Sequence, residues 1–212
     1  MTTPDARRDA LLDVACGGER RACFDLARQW EAEGITAREF YNDIVLRALA
    51  ELGHRWERNE LSIAEEHIAT EIIREVVAFK ASAIRPALAH KGIALVGCVP
   101  GEQHDIAGLI LSNLLEEDGW STRFFGQSVP KEDIVALAAR MQPALACLIA
   151  RTLPRLDSTV ELAREIGAAS PRTRIIVGGI DSPALRSILR PYVHGFADCP
   201  VTAVTTANSL AG

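Results

Sequence analysis

Apolar positions along the 212-residue chain recur at two different periods, and the period changes once. From about residue 4 to 87 they return every three or four places, as at Phe40, Ile44, Leu46, Leu49 and Leu52. That spacing lines one face of an amphipathic helix. The breaks CGGER, EGIT and NELS divide this stretch into four helices. Two of the starts carry capping-box sequences, Thr36-x-x-Glu39 and Ser62-x-x-Glu65, in which a hydroxyl and a carboxylate each satisfy an orphan amide at the helix end. No proline falls between Asp5 and Arg85, so four antiparallel helices joined by short loops predict a four-helix bundle.

After RPALAHKG the texture changes to short apolar runs alternating with amphipathic stretches. Strands are expected at 92–98, 121–126, 144–150, 174–179 and 194–198. Runs that are apolar at nearly every position suit strands covered on both faces. The expected class is therefore α/β, with the bundle followed by a Rossmann-like (flavodoxin-like), doubly wound parallel sheet of five strands. The domains predicted are residues 1–87 and 91–212, with LAHKG as the linker.

Composition narrows the setting. At 48% hydrophobic and 24% charged residues the chain can bury one large core or two modest ones. Its five cysteines (Cys16, Cys23, Cys98, Cys147, Cys199) form no CxxC pair and are odd in number, which points to neither a disulfide framework nor a zinc site. A reducing cytoplasm is the expected home. No apolar stretch has signal-peptide character or membrane-spanning length, and a net charge of −5 gives no general attraction for phosphate backbones. Neither membrane insertion nor direct nucleic-acid binding is expected.

The candidate chemistry lies in PGEQHDIAG, residues 100–108, directly after the first expected strand. In doubly wound sheets ligands sit outside the carboxyl ends of the strands. Two accounts of His104 stay open at this point. It caps or lines the first turn of a helix, or Glu102 accepts its Nδ1 proton and leaves Nε2 as an outward lone pair, the arrangement that orients a metal-ligating histidine. Only one ligand is offered, and zinc requires three or four from the protein. A metal already enclosed by a macrocycle requires one.

These residues resemble the cobalamin-binding domain of methionine synthase, methylmalonyl-CoA mutase and the CarH-type photoreceptors. The family pattern runs Asp-x-His-x-x-Gly, then Ser-x-Leu, then Gly-Gly. Here it reads Glu102-x-His104-x-x-Ala107, then after 42 residues Ala150-Arg151-Thr152, then Gly178-Gly179. The resemblance implies that His104 replaces the cofactor's own base as lower cobalt ligand. Glu102, Gln103, Asp105, Ile106 and Ala107 surround it, and the displaced nucleotide tail runs past Ala150, Arg151 and Thr152 and along Gly178 and Gly179. Three positions depart from the pattern: Glu for Asp at 102, Ala for Gly at 107 and Ala for Ser at 150. The last removes a hydroxyl from the histidine's hydrogen-bond network.

The helical half carries a second signal, Trp56 followed after nine residues by Glu66-His67. Singly, each has a plain account as a bundle or surface residue. Together they match the four-helix cap of the photoreceptors, which implies that Trp56 covers the upper axial ligand while Glu66 and His67 lie near the corrin or an adenosyl group. An indole is large, flat and apolar, suited to excluding water. The photoreceptor histidine directly after the tryptophan is Glu57 here; His54, about a turn away, is a candidate substitute. About four residues precede the first expected helix, leaving no room for an amino-terminal DNA-binding motif. The expected protein is a cobalamin-binding light sensor or regulator, not an enzyme. Its cofactor is adenosylcobalamin, with a second, bilin chromophore undecided, and its output runs through a homodimer or a regulatory protein partner. The alternatives are a corrinoid methyl carrier, a mutase subunit lacking its barrel, and an unrelated flavodoxin-like domain with a structural histidine.

Overall fold

The computed structural model describes residues 2–82, 88, 90–151 and 155–211. It divides into two compact units, Met1–Arg85 and Pro86–Gly212. Residue 87, the expected end of the first domain, lies outside the described residues, as does Thr152.

The first unit holds α1 (Pro4–Cys16), α2 (Arg20–Ala32), α3 (Ala37–Glu39), α4 (Leu46–Glu57) and α5 (Ile63–Ala81). A π-helical segment, Phe40–Val45, joins α3 to α4, so these pieces make four helical rods, the number expected. Both capping boxes form: the Thr36 and Ser62 hydroxyls accept from the amides of Glu39 and Glu65, whose carboxylates reach back to the cap amides. The π segment was not foreseen, and it re-registers the apolar stripe. A wider turn displaces everything after it around the axis, so Tyr41, Val45 and Ala48 are buried beside Phe40, Ile44 and Leu52, while Leu46 and Leu49 are only half-buried. Two cations are drawn into this core. Arg7 pairs with Glu33 at 2.8 Å and Lys80 with Glu31 at 3.0 Å. Breaking either pair leaves an uncompensated buried charge.

The second unit alternates β1 (Ile93–Cys98), α6 (Ile106–Glu117), β2 (Ser121–Gly126), α7 (Lys131–Met141), β3 (Leu145–Ile149), α8 (Leu156–Ala169), β4 (Arg174–Gly178), α9 (Pro183–Leu189), β5 (Gly195–Ala197) and α10 (Pro200–Ala211). All four pairings are parallel, in the order β2-β1-β3-β4-β5. Ala94, Leu95, Val96, the whole of β3, and Ile175 to Val177 are buried, as strands covered on both faces must be. The chain leaves β1 in one direction toward β2 and later returns on its other side as β3. That reversal opens a crevice at the carboxyl edge between β1 and β3.

The expected linker is only partly one. The amides of His90 and Lys91 both donate to the Gly119 carbonyl, at 3.1 and 3.2 Å, and Lys91 Nζ reaches Asp118 at 2.7 Å and Asn208 at 3.0 Å. From His90 onward the chain is tied into the sheet unit. All five cysteines are free. Among the described residues no helix is long and apolar enough to cross a membrane.

Candidate functional site

The loop after β1 is rooted at the switch point, where the Val99 amide donates to the Ile149 carbonyl at the end of β3 (3.0 Å). Its first turn closes with Glu102 N–H donating to Val99 O at 3.0 Å. Gly101 occupies its third position with φ +82°, the left-handed conformation that a type II turn requires and that proline in the second position favours. The turn carries Glu102 inward, where it is 2% exposed.

A carboxylate so buried is retained only if its lone pairs are satisfied. Glu102 Oε1 accepts from the amides of Gln103 (2.9 Å) and His104 (3.1 Å) and from His104 Nδ1 (2.5 Å). Oε2 accepts from the Arg151 amide, across the crevice on the β3 side, at 2.8 Å. Burial alone pushes the carboxyl up, but the imidazole and the backbone amides overcome it and hold it at about 2. The group is an anion at neutral pH, so it fixes the proton of a neutral His104 on Nδ1. Nε2 then carries the lone pair, and the His104 side chain is 57% exposed. The longer reach of Glu over Asp thus lets one side chain grip both loops where the serine hydroxyl of the family pattern is missing.

The glycine pair divides its work. Gly179 has φ +92°, and a Cβ there would meet Ala150 O at 3.2 Å and the Arg151 Cα at 3.3 Å, so the turn itself requires glycine. At Gly178 a Cβ would find its nearest neighbours, Ala197 O and Ile149 Cδ1, at 3.8 Å, an ordinary contact. Among the described residues nothing in the packing demands glycine at 178. The space its missing Cβ leaves beside the strand end, next to buried Ala150, suits the close approach of a bulky group. Ala150 N–H donates to Gly178 O at 3.0 Å, so the β3 and β4 ends adjoin. One oriented imidazole and this cleared edge fit a corrin: His104 would offer the metal its one protein ligand, and the Gly178 edge would receive a bulky group beside it.

Of the other expected site residues, Gln103 and Arg151 are exposed and Ala107 is half-buried. Asp105 and Ile106 are buried, at 5% and 7%. The glycine missing at 107 stands one residue later. A Cβ on Gly108 would meet Phe124 and Ile149 at 3.2 Å, so Gly108 lets α6 lie close on the sheet. Trp56, Glu66 and His67 belong to the helical unit. Trp56 is 46% exposed at the end of α4. Glu66 accepts from the Thr70 hydroxyl (2.7 Å), and His67 Nδ1 lies 2.9 Å from both Ile63 O and Glu66 Oε2. His54 is two residues from Trp56 in α4, hence about 200° around the helix from it. The sequence reading missed Gly101, which the Pro-Gly dipeptide could have flagged, and Arg155, whose guanidinium lies over Gly101 and which nothing in the sequence marks.

Comparison with known proteins bears on this geometry. Residues 7–79 match one B12 binding domain model and residues 92–202 match another. The chain is 25% identical over 161 residues to the HTH-type transcriptional repressor CarH of Myxococcus xanthus, covering 74% of this chain and 52% of that one. It spans about half the length of that repressor and of the similar CarA. It is 28% identical over 166 residues to dimethylamine corrinoid protein 3 of Methanosarcina mazei, covering 76% of this chain and 98% of that one. The solved monomethylamine corrinoid protein of Methanosarcina barkeri superposes with a TM-score of 0.81 over 98% of this chain and 100% of that one, at 16% identity, a likeness of fold. With the second model alone spanning more than half of the residues, this chain belongs to the B12-binding domain family and is a cobalamin-binding protein.

Proposed function

We propose that the protein is a cobalamin-dependent light sensor, a regulatory protein and not an enzyme, with His104 as the lower cobalt ligand and Trp56 covering the upper axial ligand. Bound cobalamin in its adenosyl form supplies a cobalt–carbon bond that light can break. The protein's part is to hold and to sense. Glu102 keeps the Nδ1 proton and aims the imidazole; the Gly178 edge receives the displaced nucleotide tail; Trp56, Glu66 and His67 shield the upper ligand from water. Without that ligand the indole would lose its packing partner, and the changed surface of the helical unit would alter a homodimer or engage a protein partner. The observation that carries this is Trp56, a large apolar side chain left 46% exposed in the helical unit, in series with Glu66-His67.

A second reading, a corrinoid methyl carrier that partners a methyltransferase, is supported by the match to dimethylamine corrinoid protein 3, which spans 98% of that protein. One experiment separates the two. Purified protein is loaded with adenosylcobalamin in the dark, illuminated, and followed by absorbance and mass together. A light-driven spectral change with altered assembly is the sensor's outcome. Stable methylcobalamin binding, methyl transfer to a thiol acceptor and assembly indifferent to light belong to the carrier and would displace the sensor. His104→Ala should weaken corrin retention or shift the bound spectrum, and an unchanged spectrum and affinity would remove the ligand assignment.

A further inference from the structure

One cation beside the His104 loop has a buried donor with no acceptor among the described residues. Arg155 immediately precedes α8, on the carboxyl side of β3, and its guanidinium lies over the Cα of Gly101 in the loop after β1. A Cβ on Gly101 would stand 2.7 Å from Nη1 and 2.8 Å from Cζ. The Nε–H of Arg155 is buried and finds no hydrogen-bond partner among the described residues. Buried donors are almost always satisfied, and an orphan calls for a specific explanation. The other orphan, Arg7 Nε, belongs to a guanidinium that is already paired with Glu33. Arg155 pairs with no carboxylate among the described residues. Two carboxylates are buried in the loop after β1, Glu102 and Asp105; Glu102 is taken up by His104 and by backbone amides. The exposed Asp157, in the first turn of α8, faces water.

An anion that arrives with a ligand is the partner this guanidinium calls for. The guanidinium sits at the switch-point crevice, and its planar fork matches two oxygens of a phosphate. Behind it begins a helix of 14 residues, whose first-turn amides add positive potential. The corrin's own side chains are amides, whereas the nucleotide tail carries a phosphodiester, the one fixed negative charge in that part of cobalamin. We infer that Arg155 binds this phosphodiester once His104 has displaced the tail's base, which makes Arg155 the residue by which the protein selects complete cobalamin over tail-less corrinoids. The inference rests on the lower-ligand assignment of His104.

The test is a dark absorbance titration of the full chain with hydroxocobalamin and with cobinamide, the same corrin lacking the nucleotide tail. Arg155→Met keeps an unbranched chain over Gly101 without charge; Arg155→Lys keeps charge without the fork. Arg155→Met is expected to weaken cobalamin binding roughly ten- to hundredfold, the worth of a charge-assisted hydrogen bond, and to leave cobinamide within about twofold, with Arg155→Lys in between. Neither changes the spectrum of the bound corrin, whereas His104→Ala shifts it for both corrinoids, so failure of the lower ligand is read separately. Equal losses for both corrinoids show that Arg155 only shapes the loop and overturn the inference, as does no loss for either. Thermal stabilisation of the apoprotein by inorganic phosphate that Arg155→Met abolishes, with cobalamin affinity untouched, identifies a free-phosphate site and overturns it too.

Discussion

Glu102 is the residue on which the site's geometry turns. Replacing it with Gln keeps the shape but sets an NH2 group against donors and removes the anion from Nδ1. Glu102→Gln is expected to lower stability by about 1–3 kcal/mol, the cost of leaving buried donors unsatisfied, measured by urea unfolding at neutral pH. The sign with pH follows from a carboxyl held at about 2 in the fold. Its contribution is full above the ordinary carboxylate value and drains away as pH falls toward the folded one. The two neighbouring glycines should separate under substitution. Gly179→Ala forces a side chain into positive φ against backbone and should cost about 1–2 kcal/mol, read as a lowered melting temperature. Gly178→Ala should melt like the parent yet bind cobalamin less tightly, since on the proposed reading the space it fills receives the nucleotide tail. The Glu102–His104 pairing was legible because the two lie in sequence order at the mouth of a strand. The grip of Glu102 on the Arg151 amide was not, because that contact joins residues 49 apart through a backbone group that carries no sequence signature.

At the scale of elements, the period change near residue 87 and the two capping boxes placed the helices, and all five strands lie within a residue of their expected ends. What periodicity could not show is the π segment, since the residues that make it look like any helix and only the packed partner reveals the shifted face. A second feature hidden from sequence is the seam between β4 and the chain entering β5. His194 N–H donates to Ile175 O at 2.7 Å, and Ile175 N–H donates to His194 Nδ1 at 3.0 Å. Nδ1 must therefore stay unprotonated, and burial, helped by Arg174, pushes the imidazole down. The unfolded chain takes up a proton that the folded one refuses, so this part of the stability is complete above the ordinary histidine value and is lost as pH falls through it. His194→Asn, whose side-chain oxygen can accept the same amide, should flatten the loss of stability between about pH 7 and pH 5. A denaturant series at both pH values reads the difference, and parallel losses in parent and variant would count against it.

For the molecule as a whole, the cysteines report on core integrity. Cys23, Cys98 and Cys147 are buried, and burial pushes Cys23 up to about 11 and Cys147 up to about 12. Cys16 and Cys199 are half-exposed. A thiol reagent near pH 7 is expected to label at most these two in the native protein and all five after denaturation, since reactivity requires an accessible thiolate. Labelling of a third native thiol would show that one of the cores opens. The sheet's two edges bear on self-association. At one, β5 is only three residues long; at the other, the Arg123 guanidinium folds back onto its own strand and donates to the Thr122 carbonyl. Short margins and a cation laid along the backbone are how natural sheets refuse an incoming strand. Both features work against main-chain pairing of a second copy along the sheet's flanks, which leaves helix surfaces, where side chains decide when copies join and when they part, as the better-suited ground for self-association.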